Sequence, residues 1–227
     1  PASAGGASPG ATGTFDGTAE SDRRLLRAMP KVDLHCHLDG SLRPLTILEL
    51  GRERKLALPA DNVEDLKRQV MVGNGCGSLA EFLKVFDVIY PVLRDGPALE
   101  RAAYELCQDC AIENVRHVEV RFAPALQAHT AFTIDGVISA VLRGLKRGLK
   151  EFGVTSGAIL CLYRSHGPRQ NRDVFAAIKR WYKPTNGLSE PGVIGMDLAG
   201  DEAAHPHPQQ PGGDTGRIAP DPAADRS

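Results

Sequence analysis

His35-Cys36-His37 places two imidazoles two positions apart at the end of an apolar run. Alternate side chains of an extended strand point to the same face, so histidines at i and i+2 converge. Neutral imidazole is a good zinc ligand, and a converging pair fills two positions around one ion. Asp39-Gly40-Ser41 follows directly and predicts a turn. The pattern reads either as metal binding where a strand gives way to a loop or as two histidines satisfied by hydrogen bonds near a strand end; the Asp39-Gly40 that follows favours the first.

Two other spellings invite a metal reading and fail it. Cys107-Gln108-Asp109-Cys110 spells C-x-x-C, but it sits inside a helical pattern with no second pair at zinc-ribbon spacing, so helix packing accounts for it. His117-Val118-Glu119 opens like the H-x-E…P-C-x-x-C signature, yet no Pro-Cys-x-x-Cys follows, which excludes the cytidine-type deaminase fold. His166 falls near the end of a strand candidate, where it reads equally as a site residue or a loop histidine.

The elements that must position the histidine pair are read from periodicity. Strands are expected at 31–38, at Val115–Phe122, at 158–163 and at 193–198, each rich in β-branched or apolar residues. Between them fall helical stretches through Leu45, Leu48 and Leu50, at 61–71, after Gly96-Pro97, at 135–152 and at 172–182. Ser78-Leu79-Ala80-Glu81 supplies a capping box for a helix with the apolar stripe Leu79, Phe82, Leu83, Phe86, Ile89 and Tyr90. Strands separated by helices of this length imply right-handed crossovers and a parallel sheet. Periodicity leaves two architectures open: a doubly wound α/β sheet or part of a (β/α)8 barrel.

Residues 1–20 form a Gly/Ala/Ser-rich leader and residues 203–227 a proline-rich polar tail; both are expected to be disordered, with 21–202 as the globular part. The 227 residues, 42% hydrophobic and 24% charged, suffice for one sizeable domain. Lys+Arg total 27 against 28 for Asp+Glu, so a net charge of -1 gives no electrostatic reason to expect nucleic acid or an anionic membrane as partner. The five cysteines are odd in number and scattered, which predicts free thiols in a reducing compartment. With no signal-peptide pattern at the start, the expected location is cytoplasmic.

Four stretches, in order, carry a family resemblance: Pro30 to Ser41, Ser78-Leu79 to Tyr90-Pro91, Val118-Glu119-Val120-Arg121-Phe122-Ala123-Pro124, and Gly195-Met196-Asp197-Leu198-Ala199-Gly200-Asp201-Glu202. Together they resemble the adenosine deaminase family of metal-dependent amidohydrolases, over its N-terminal half. The resemblance implies an α/β fold, a (β/α)8 barrel of the TIM type cut to about its first four strand-helix units, with the site at the C-terminal ends of the strands. It implies that His35 and His37 are ligands of one zinc ion and that His37, Asp39 and Gly200 meet the substrate. Asp39 would take a ribose hydroxyl and the Gly200 backbone N–H a purine nitrogen, while Leu79, Phe82, Leu83 and Phe86 would wall the base.

The implied reaction is hydrolytic deamination of adenosine or deoxyadenosine, with zinc activating a water that attacks C6 and with ammonia leaving. The family also uses a third zinc histidine, a catalytic glutamate, a histidine that orients the attacking oxygen and a pair of aspartates. Their motifs do not occur here, so the zinc ligand set is incomplete and no catalytic residue is assigned. Beyond Glu202 the sequence is expected to reflect an abrupt change, such as a frameshift, an aberrant splice or an incorrect gene model, and His205-Pro206-His207 is an accident of a polar tail. Alternatives are a noncatalytic half-barrel that self-associates or pairs with another chain through its exposed barrel edges, and an aminohydrolase for another aminopurine.

Overall fold

A computed structural model of the chain describes residues 19–71, 78, 82–183, 189–201 and 204–205. In chain order the elements are α1 (Ala19–Ala28), β1 (Lys31–His37), a 3-10 turn (Asp39–Ser41), α2 (Pro44–Glu53), α3 (Val63–Val70), α4 (Phe86–Val92), α5 (Gly96–Ile112), β2 (Val115–Phe122), α6 (Pro124–Gln127), α7 (Ile134–Phe152), β3 (Thr155–Tyr163), α8 (Pro168–Trp181) and β4 (Val193–Ala199). The four strands form one sheet in the order β1-β2-β3-β4. Every pairing is parallel.

Local chemistry explains most boundaries. Asp95 caps α5 by accepting from the Ala98 N–H at 2.9 Å, and Thr133 caps α7 by accepting from Gly136 at 3.1 Å. Helix α7 ends at Gly153, whose φ of 70° is the left-handed conformation glycine adopts without penalty. Pro168 opens α8 at a first-turn position, where its missing N–H costs nothing, so the helix begins four residues before the expected 172. β3 likewise begins at Thr155 rather than 158.

Two expectations are corrected. Ala19 and Glu20, assigned to the leader, open α1 instead; Glu20 and Asp22 in its first turn and Arg27 in its last complement the helix dipole. The rest of the leader, 1–18, lies outside the described residues, as does all of the tail except Ala204 and His205. The stripe from Leu79 to Tyr90 is not one continuous helix: the chain turns at Lys84-Val85 before α4 begins, and Leu79 itself lies outside the described residues.

The core lies between the sheet and its helices, with Val118, Val120, Phe122, Ala158 and Leu160 buried beneath α5 and α7. Those two helices approach so closely that a Cβ on Gly148 would overlap Cys107 Cβ, and one on Gly144 would overlap the Glu100 carbonyl oxygen. Cys107 and Cys110 are buried within α5, as helix packing requires. Large apolar side chains stay exposed on the two outer strands: Val32 (61%) and Leu34 (60%) on β1, Met196 (57%) and Leu198 (44%) on β4. Among the described residues, no helix is long and apolar enough to cross a membrane.

Candidate functional site

Parallel strands deliver their C-terminal ends to one rim of the sheet, and the inward-facing side chains there are His35 and His37 from β1, Arg121 from β2, Cys161 from β3 and Asp197 from β4. In the register His37 pairs with Arg121 and Cys161 with Asp197, while Arg121 itself stands opposite Ile159, two residues before Cys161. Arg121 is only 7% exposed and ties the rim together. Its Nε donates to Asp197 Oδ2 at 2.9 Å and its Nη2 to Cys161 Sγ at 2.9 Å. Its Nη1 lies 2.7 Å from His37 Nε2 and 3.1 Å from Nδ1.

Above this rim is a cavity of about 280 Å³, close to the lower end, ~300 Å³, of small-molecule sites. His35, His37, Asp39 and Asp197 supply its polar lining, Phe82, Leu83 and Phe86 an apolar wall, and Gly200 also lines it. The Phe86 ring lies edge-on to Phe82 at 5.6 Å and stacks on Tyr90 at 5.4 Å, a ladder set by i,i+4 spacing. Gly200 has φ of 107°, a conformation that favours glycine, and a Cβ there would sit tightly, 3.3 Å from the Arg164 backbone nitrogen.

Asp39 is 5% exposed. Its carboxylate accepts from the Gly40 N–H at 3.0 Å and from the Tyr90 hydroxyl at 3.1 Å, and stands 3.7 Å from His37 Nδ1. Burial and the nearby Asp39 charge push the Tyr90 phenol well above its ordinary value, so it remains a proton donor. Burial raises Tyr163 as well, reinforced by the charges of Asp39 and Asp201. The Cys161 thiol is pushed up to about 12, chiefly by burial, and is no nucleophile at neutral pH.

His35 and His37 rings sit 5.6 Å apart, centroid to centroid, and supply two nitrogen donors of the right type for a zinc ion. Among the described residues, no group of three or more His, Cys, Asp or Glu could hold a metal ion. The Arg121 guanidinium also stands against the His37 nitrogens, where a metal would need their lone pairs. These residues fit two positions of a zinc site and do not complete one.

The family model for adenosine deaminase matches residues 30–214. The chain belongs to the adenosine deaminase family. It is 38% identical over 181 residues to an adenosine deaminase of Enterococcus faecalis, covering 80% of this chain and 51% of that protein. Against the Streptococcus thermophilus adenosine deaminase it is 40% identical over 174 residues, 77% of this chain and 49% of the relative. The chain thus spans about half the length of the curated relatives it matches. A zinc-bound amidohydrolase from Burkholderia ambifaria superposes with a TM-score of 0.67 at 24% identity, over 83% of this chain and 49% of that one. An adenine deaminase from Arthrobacter aurescens gives 0.65 at 21%, over 78% and 50%. At this identity the likeness shows fold, and the fold is a four-strand arc of the (β/α)8 barrel.

Within that family frame, the described structure gathers His35, His37, Asp39, Phe82, Leu83, Phe86 and Gly200 around one cavity. Leu79 lies outside the described residues. His166 does not line the cavity; its ring stacks obliquely on Tyr163 at 5.2 Å, and burial lowers its pKa. His117 bonds Thr155 Oγ1 at 2.8 Å, near the start of β2 and away from the rim. Sequence reasoning missed Tyr90, Arg121, Cys161, Tyr163 and Asp197 as site residues. Arg121 did carry a signal: it is a charge in an otherwise apolar strand end, where a barrel places its chemistry.

Proposed function

We propose that this chain carries the purine-nucleoside face of a zinc-dependent deaminase that hydrolyses adenosine or deoxyadenosine to inosine or deoxyinosine and ammonia. The observation that carries this reading is one cavity whose polar end holds an imidazole pair beside a buried carboxylate and whose other wall is aromatic. His35 and His37 would hold the metal, and when bound the ion supplies the Lewis acidity that activates water. Asp39 accepts a ribose hydroxyl. Phe82, Leu83 and Phe86 cover the base, and the Gly200 N–H meets a ring nitrogen.

The step that protonates the purine is assigned to no described residue: Asp197 is engaged by Arg121 and Asp39 by Tyr90. Two donors also fall short of the three protein ligands of catalytic zinc. These observations favour a second reading, in which the chain is noncatalytic alone and its exposed β1 and β4 edges seat another chain or a second copy. A different aminopurine is a third reading, favoured by the Arthrobacter adenine deaminase and by an Arabidopsis N6-methyl-AMP deaminase of TM-score 0.58 at 24% identity, over 78% of this chain and 51% of that one. Among the described residues Cys107, Cys110 and Cys161 are free and buried, which accords with a cytoplasmic setting.

Ultraviolet assay of adenosine conversion by zinc-loaded protein tests the proposal, beside a His35→Ala/His37→Ala control. Turnover or adenosine binding that depends on the histidines supports it. Soluble, zinc-loaded protein that neither converts nor binds adenosine contradicts it.

A further inference from the structure

Asp39 and Tyr90 come from segments 51 residues apart, the turn after β1 and helix α4, and meet at the polar end of the cavity. We infer that Tyr90 is a specificity-determining residue: its hydroxyl, held by Asp39, accepts a hydrogen bond from a hydroxyl on the ligand's sugar end and, with the buried Asp39 charge, turns away a phosphate there. The inference rests on the nucleoside reading above and specifies what that site selects.

The geometry fixes the direction of the hydrogen bonds. A carboxylate only accepts, so the 3.1 Å contact uses the Tyr90 proton. The phenol oxygen keeps its lone pairs, and Tyr90 lines the cavity, so its unused capacity is as an acceptor. A ligand hydroxyl supplies the matching proton and extends a chain of donors ending on Asp39. A phosphate dianion has no proton to supply and would bring its charge against a nearly buried carboxylate, where repulsion is weakly screened. Among the described residues lining the cavity the arginine, Arg121, is already engaged with Asp197 and Cys161; a zinc ion on the imidazoles would attract a phosphate, so the adenosine-to-AMP ratio reads the balance between that attraction and the Asp39 repulsion. Phe86 stacks on the Tyr90 ring and fixes the hydroxyl at the end of the same aromatic ladder that walls the cavity.

A latch that merely holds α4 to the turn after β1 would use the same Tyr90–Asp39 bond, and affinity ratios separate the two roles. Calorimetric titration of the zinc-loaded chain with adenosine, AMP and the 2′-, 3′- and 5′-deoxyadenosines is the test, repeated on Tyr90→Phe. Wild-type protein is expected to bind adenosine at least tenfold more tightly than AMP and than one of the deoxy analogues, tenfold being the size of one hydrogen bond within a charge-assisted chain. Tyr90→Phe, which keeps the aromatic stack, is expected to bring that deoxy analogue within about threefold of adenosine. Equal weakening of all ligands in Tyr90→Phe, or wild-type binding of AMP as tight as adenosine, would overturn the inference and leave the nucleoside reading standing. Wild-type protein that binds none of these ligands overturns both. The wild-type adenosine-to-AMP ratio decides the phosphate claim even if the variant fails to fold.

Discussion

Removing the Arg121 side chain would leave Asp197 and Cys161 without their shared donor and His37 without its neighbour. Breaking a buried ion pair costs about 3–5 kcal/mol, but Asp197 is about a third exposed and water replaces part of the loss. Arg121→Met is therefore expected to lower stability by about 2–3 kcal/mol, measured by urea denaturation; a change under about 0.5 kcal/mol would show that the rim does not depend on it. Convergence of His35 and His37 was legible from strand alternation alone, whereas Asp39 and Gly200 were legible as cavity residues only through the family resemblance of the motifs around them. Tyr90 was legible only as one member of an apolar helical stripe, because periodicity registers its ring and not its hydroxyl. Asp197 could not be read as a partner of Arg121 without knowing the register that sets β2 beside β3 and β3 beside β4.

At the scale of elements, the α5–α7 seam is set by glycine. A methyl group on Gly148 has no space against Cys107, so Gly148→Ala is expected to destabilise by about 1–3 kcal/mol through overpacking, despite alanine's better helix propensity. Thermal melting checks this; an unchanged or raised midpoint would mean the helices separate without cost. Strand β2 was readable to the residue because its β-branched run is bounded by Asn114 and Pro124. The start of β3 was not: Thr155, Ser156 and Gly157 lack the apolar signal and join the sheet only because β2 offers backbone partners. Helix α1 was obscured in the same way, its composition merging with the leader before it.

For the molecule as a whole, burial of thiols predicts a pH dependence. Cys107, Cys110 and Cys161 are each pushed up to about 12, chiefly by burial. A raised thiol pKa means that the folded chain keeps protons the unfolded chain releases, so this stabilisation is complete below about pH 8.5 and is lost as pH rises towards 12. Denaturant midpoints should fall steadily over that window, and a flat profile would show that these thiols titrate normally. The exposed Val32, Leu34, Met196 and Leu198 line the two outer strands, so the 227-residue polypeptide by itself is expected to self-associate on light scattering. The parallel sheet and its handed crossovers were legible from alternation of element types, whereas the choice of a barrel arc over an open sheet came only with the family motifs.

Calorimetric titration of zinc-loaded protein with adenosine, compared with cytidine and with Asp39→Ala, tests most directly whether this cavity is a purine nucleoside site. Saturable binding of one adenosine per chain is expected, at least tenfold weaker in Asp39→Ala, with no matching signal from cytidine. Absence of saturable adenosine binding up to millimolar concentration, or binding indifferent to Asp39, would contradict this reading of the cavity.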